Sequence, residues 1–176
     1  MGQPQKPLPP DATIYSTMIE QHHLIERLLG RLTQSVLHLT APEDRAASRR
    51  LLLRLRKNLY AHIDLEDDIL FREFESQSGL LSEGPTATLR REHEVLRGRL
   101  DELLAEWKTA SVSALSRHLA AFGALYTDHC RREDVMYGIC ERLLSPEQSA
   151  KAKALLQPRA NSATTDRKRK SSQGSL

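Results

Sequence analysis

The chain has 176 residues, 39% of them hydrophobic and 5% aromatic, with a formal charge of +3, which is enough for one domain with a real core. Leu, Ala, Arg and Glu dominate and strand-forming aromatics are scarce, so the composition argues for helices and against a β fold. Residues 158–176 carry five Arg or Lys against one Asp, leaving the rest of the chain at −1; this excludes a broad electrostatic footprint for nucleic acid on the folded body.

No stretch is long and apolar enough to span a membrane. The opening MGQPQKPLPP has no signal-peptide core, and Lys6 stands where myristoylation wants Ser or Thr, so a cytoplasmic location is expected. Cys130 and Cys140 are ten residues apart in one predicted helix, too far along the rise to bridge, and are expected to be reduced, small buried hydrophobes.

Residues 1–11 are Pro-rich and read as an extended lead-in, with Asp11 or Thr13 placed to cap the first helix. A helical domain is expected over 12–157. Helix A runs to about Leu39, its stripe made by Tyr15, Met18, Ile19, Ile25, Leu29, Leu32 and Val36, with His22 inside it. Thr40 with Glu43 three residues on resembles a capping box, and Pro42 suits a first turn. Helix B then extends to about Ser76, with Leu55, Leu59, His62, Glu66 and Ile69 on one face.

Residues 76–85 read as a loop, and Pro85 opens helix C, whose stripe is Leu89, His93, Leu96, Leu100, Leu103 and Trp107. Helix D starts near Ser111 or Ser113 and repeats the helix B pattern through Phe122, Tyr126, His129, Glu133 and Met136. A second start signal at Ser145-Pro146-Glu147-Gln148 predicts a short fifth helix to about Leu156 covering one end. Residues 158–176 read as a disordered basic tail with an RKRK run. The architecture predicted is an all-α, up-down-up-down four-helix bundle.

The segments HIDLE (62–66) and HCRRE (129–133) each put a histidine four residues before a glutamate, on one helical face. HIDLEDDIL aligns with HCRREDVMY, and MIEQHHLIERLL with LRREHEVLRGRL, as an internal duplication would. The order is His22, His62 with Glu66, His93, His129 with Glu133. A buried imidazole alone is usually a hydrogen-bonded core residue. One per helix, with glutamate at the same offset in the related helices, points to metal instead. Four imidazoles and two carboxylates without thiolate suit two ions, iron first and manganese or zinc second. His23, a hundred degrees round the helix from His22, and His38 and His118, far along their helices, are set aside. Asp64, Asp67 and Asp68 read as solvated, and Tyr126 as core.

On these residues the chain resembles the hemerythrin-like, or HHE cation-binding, family from about residue 13 to 157. The resemblance implies a four-helix bundle with a non-haem di-iron centre bridged by Glu66 and Glu133, open to dioxygen, nitric oxide or peroxide. The oxygen carriers it resembles have a fifth histidine one turn after the third-helix ligand, where this chain has Arg97; reversible oxygen carriage is therefore not implied. Glu26 occupies the matching place after His22 and is expected either to reach the centre, to pair with Arg97, or to share the surface with it. The leading function is binding or sensing of a small oxidant, gas or iron. The alternatives are an enzyme with peroxidase- or oxidase-like turnover or iron donation for iron-sulfur repair, and a metal-free helical interaction module.

Overall fold

A computed structural model describes residues 13–79, 84–147, 149 and 150. The lead-in over 1–11, Asp11, the basic tail and most of the predicted fifth helix lie outside the described residues. What is described of that helix is its start, where the Ser149 N–H donates to Ser145 O at 2.8 Å.

Four helical rods form the bundle, and no strand occurs among the described residues. Helix α1 spans Ile14–Leu37. Thr13 caps it: its hydroxyl accepts from the Ser16 N–H at 3.0 Å, while the Ser16 hydroxyl accepts from the Thr13 N–H at 2.8 Å. Two of the orphan donors of the first turn are thereby satisfied reciprocally. Tyr15, expected on the buried stripe, is exposed; Ile14, Met18, Ile25, Leu28, Leu32 and Val36 form the stripe instead.

Helix α2 spans Pro42–Leu65. The box expected from Thr40 and Glu43 is shifted by one residue, since the Asp44 carboxylate accepts from the N–H groups of Thr40 and Ala41 at 3.2 and 3.0 Å. The second rod is not one continuous α-helix. A single π-helical turn, Glu66–Leu70, separates α2 from α3, Phe71–Ser78, and the Phe71 N–H bonds back to Glu66 O. The extra residue advances everything after it by about 100° relative to an unbroken helix. The buried face accordingly passes through Leu70, Phe71 and Phe74, and Ile69 is only half-buried. Gly79, at φ +70°, closes α3 in the left-handed conformation that glycine adopts without steric penalty.

Helix α4 runs Pro85–Glu106 and α5 runs Val112–Leu143, capped by the Ser111 hydroxyl. The short connections make neighbouring rods antiparallel. Helix α1 packs against α2 and α5, and α4 packs against the same two, so the rods close into a square. At one end the Trp107 indole donates to Arg45 O at 3.1 Å, and the Arg45 guanidinium donates to the carbonyls of Trp107 and Ala110.

The core divides into two apolar clusters along the bundle axis. One contains Leu32, Leu55, Leu59, Leu100, Leu119 and Phe122 with their neighbours. The other contains Ile14, Met18, Phe71, Phe74, Leu89 and Met136. Each fully buried leucine contributes roughly 1.5–3 kcal/mol relative to exposure. Between the clusters lies a layer that buries charge.

Candidate metal centre

That layer holds all six residues singled out by sequence. His22 comes from α1, His62 from the last turn of α2 and Glu66 from the π turn; His93 comes from α4, and His129 and Glu133 from α5. None is more than 3% exposed. Helical spacing explains the alignment: each site residue stands one turn from a core residue, so the stripe that packs the bundle also aims the site inward.

Two groups of four are brought together, His22, His62, Glu66 and Glu133, and Glu66, His93, His129 and Glu133. In each, one ligand atom per residue lies within 4.8 Å of every other. Both glutamates belong to both groups. Glu133 reaches His22 Nε2 at 3.0 Å with one oxygen and the Nε2 atoms of His93 and His129, at 3.1 and 2.6 Å, with the other. Glu66 Oε2 lies 3.3 Å from both His62 and His93 Nε2. The duplication is visible in three dimensions: His22 and His62 are edge-to-face at 4.8 Å and 70°, and His93 and His129 at 4.8 Å and 75°.

Outer hydrogen bonds decide which ring nitrogens face inward. His93 Nδ1–H donates to Asp67 and His129 Nδ1–H to Glu92, both at 2.9 Å, and His62 Nδ1–H donates to the Gln21 amide oxygen at 2.9 Å. A neutral imidazole that donates through Nδ1 carries its lone pair on Nε2. Three such lone pairs therefore point into a space already occupied by two carboxylates. Glu66 Oε2, Glu133 Oε2 and His129 Nε2 are buried without a hydrogen-bond partner. Lone pairs packed against lone pairs are repulsive in a water-free core unless cations lie among them. The donor set fits metal ions of the imidazole-and-carboxylate kind.

Without metal, protons must take that role. Burial lowers His62 to about 3, so it is neutral. Burial also opposes charge on His93, but the carboxylates of Asp67, Glu133 and Glu66 outweigh it and raise the ring to about 11. Burial, with the neighbouring Glu133 charge, pushes Glu66 up, whereas the close approach of the His129, His22 and His93 rings overcomes the burial of Glu133 and holds it down. The two carboxylates share one site and cannot both ionise freely.

Around the centre the reading of Asp67 is corrected, the alternatives for Glu26 and Arg97 are narrowed, and the other readings hold. Asp67 is not solvated; it is the partner of His93 and is itself held by Arg90 at 3.2 Å. Arg97 pairs with Asp64 at 2.6 Å and lies over the Tyr60 ring, so it does not pair with Glu26, which is exposed and belongs to neither group. His23 and His38 are exposed, and His118 faces Glu106 at 3.4 Å. Tyr126 is buried in the core, edge-on to His22. Both cysteines are buried and unpaired.

Sequence reasoning missed Tyr137, whose buried hydroxyl donates to Glu66 and lies 3.3 Å from His22 Nε2. Its signal was available: it follows Glu133 by four residues, on the ligand stripe. Gln21 and Glu92 were missed too, each immediately preceding a site histidine yet serving the histidine of a different rod. Adjacent positions point a hundred degrees apart, so only the packed neighbour reveals the partner.

A bundle of four helices enclosing a buried layer of paired imidazoles and shared carboxylates defines a helical cation-binding domain. The chain belongs to the hemerythrin HHE cation-binding domain family, whose model matches residues 13–140. Comparison with curated proteins and with solved structures found no match. No described helix is long and apolar enough to cross a membrane.

Proposed function

We propose that this chain is a non-haem di-iron protein that binds or senses a small oxidant or gas (dioxygen, nitric oxide or peroxide) or iron itself. The observation that carries the reading is the sharing of Glu66 and Glu133 between two groups of four donors. His22 with His62 would hold one ion and His93 with His129 the other, with both glutamates between them. Mixed nitrogen and oxygen donors without thiolate favour iron, with manganese or zinc second.

Bound iron would supply redox chemistry and coordination positions free of protein ligands. The chain's own residues do the rest. Asp67, Glu92 and Gln21 fix the imidazole tautomers and ring orientations. The two apolar clusters keep water from the layer, which strengthens every electrostatic interaction inside it. Tyr137 offers a hydroxyl proton at the His22 side. Arg97 is turned outward to Asp64 and adds no donor to the centre, so each group contains two imidazoles. A cytoplasmic setting suits such a sensor.

Metal analysis of protein purified without chelator tests the reading, together with the visible spectrum before and after dithionite, air and nitric oxide. Two irons per chain and an oxo-bridge-like band that changes with gas are expected. Absence of metal, or zinc with a silent spectrum, would instead leave a structural bundle.

A further inference from the structure

The two halves of the centre look alike from inside and differ from outside. Behind His129 stands Glu92, anchored by Arg132 at 2.8 Å; behind His93 stands Asp67, anchored by Arg90. Phe71 stacks on the His93 ring at 5.7 Å and 5°, with Arg90 over the Phe71 ring. Both imidazoles of this half are thus oriented by hydrogen bonds to carboxylates.

The other half lacks this support. His62 donates to Gln21, a neutral amide at the position that Glu92 occupies in the duplicate. Among the described residues no hydrogen bond involves His22 Nδ1. The duplication offers Asp134 there, as the counterpart of Asp67, yet Asp134 Oδ1 is buried without a partner. The π turn accounts for the difference: it redirects the chain beside Glu66 and brings Asp67 onto His93, while α5 runs through Glu133 and Asp134 without one. Tyr137 adds a third asymmetry: besides donating to Glu66, which both halves share, its hydroxyl lies 3.3 Å from His22 Nε2, a donor of this half alone.

We infer that the two metal positions are inequivalent: the one at His93 and His129 retains its ion, and the one at His22 and His62 exchanges it. A carboxylate accepting from the outer nitrogen makes an imidazole a more basic and better oriented donor than an amide does, and one without any outer partner is freer to turn away. The centre then carries one resident ion and one that comes and goes with supply, which is the property a metal-responsive switch requires. This inference rests on the two-metal reading above.

The test loads the full chain with Fe(II) under anaerobic conditions, adds excess ferrozine and follows the coloured complex. Iron should leave in two phases of equal amplitude, with rates separated by about tenfold to a hundredfold, the usual effect of an outer-sphere partner. Gln21→Glu should slow the fast phase and leave the slow one; Glu92→Gln should speed the slow phase and leave the fast one. A single phase releasing two irons, or both variants acting on the same phase, would overturn the inequivalence while keeping the two-metal centre. Fewer than two irons bound to the loaded wild-type chain, measured by elemental analysis before ferrozine is added, would overturn both.

Discussion

Tyr137 on α5 donates its hydroxyl proton across the bundle to Glu66 on the π turn. The bond joins two groups that are otherwise costly to bury, a phenol 0% exposed and a carboxylate 0% exposed. Tyr137→Phe should therefore destabilise the metal-free protein by about 1–3 kcal/mol. The loss should be smaller when metal is bound, because the carboxylate then has another partner. Denaturant unfolding of both proteins, with and without metal, checks this; an equal loss in the two states would mean that Glu66 does not face the ions.

Glu66 and Glu133 each belong to both donor groups, whereas each histidine belongs to one. Glu66→Ala and Glu133→Ala should both lose metal from the two positions together. His129→Ala should spare the His22 side. Elemental analysis of the three variants decides, and full metal content in either glutamate variant would contradict the shared role.

Metal uptake should release protons. At neutral pH the metal-free centre holds a proton on His93, raised to about 11, and its buried carboxylates favour another on Glu66. Both groups bind metal only when deprotonated, so metal competes with protons and affinity should rise with pH. The sign is fixed by the direction of these shifts: a centre of depressed pKa values would be deprotonated already and show no such rise. Calorimetric titration in buffers of different ionisation enthalpy measures the protons released per metal, and a value of zero at pH 7 would refute the assignment.

Glu26→Ala and Arg97→Ala should leave metal content and spectrum unchanged, since neither side chain belongs to a donor group and Arg97 is engaged by Asp64. Leu100→Ala, a fully buried position in the apolar cluster away from the ligand layer, should cost about 2–5 kcal/mol while metal stoichiometry stays the same. Thermal melts paired with metal analysis separate the two kinds of effect.

The sequence by itself determined the bundle and the composition of its charged layer. The stripes through Leu89, His93 and Leu96 and through Tyr126, His129 and Glu133 are local, because a helix fixes which residues share a face. The HxxxE repeat is legible for the same reason. Residues that act across rods were not legible. Asp67 read as solvated, Tyr137 went unnoticed, and Arg97 was weighed against Glu26 rather than Asp64. Each depends on how one helix is rotated against another, and the π turn at Glu66–Leu70 resets that rotation with no glycine or proline in the segment to announce it. Helical periodicity therefore chose the donors, and only the packing of the four rods decided what holds each donor in place.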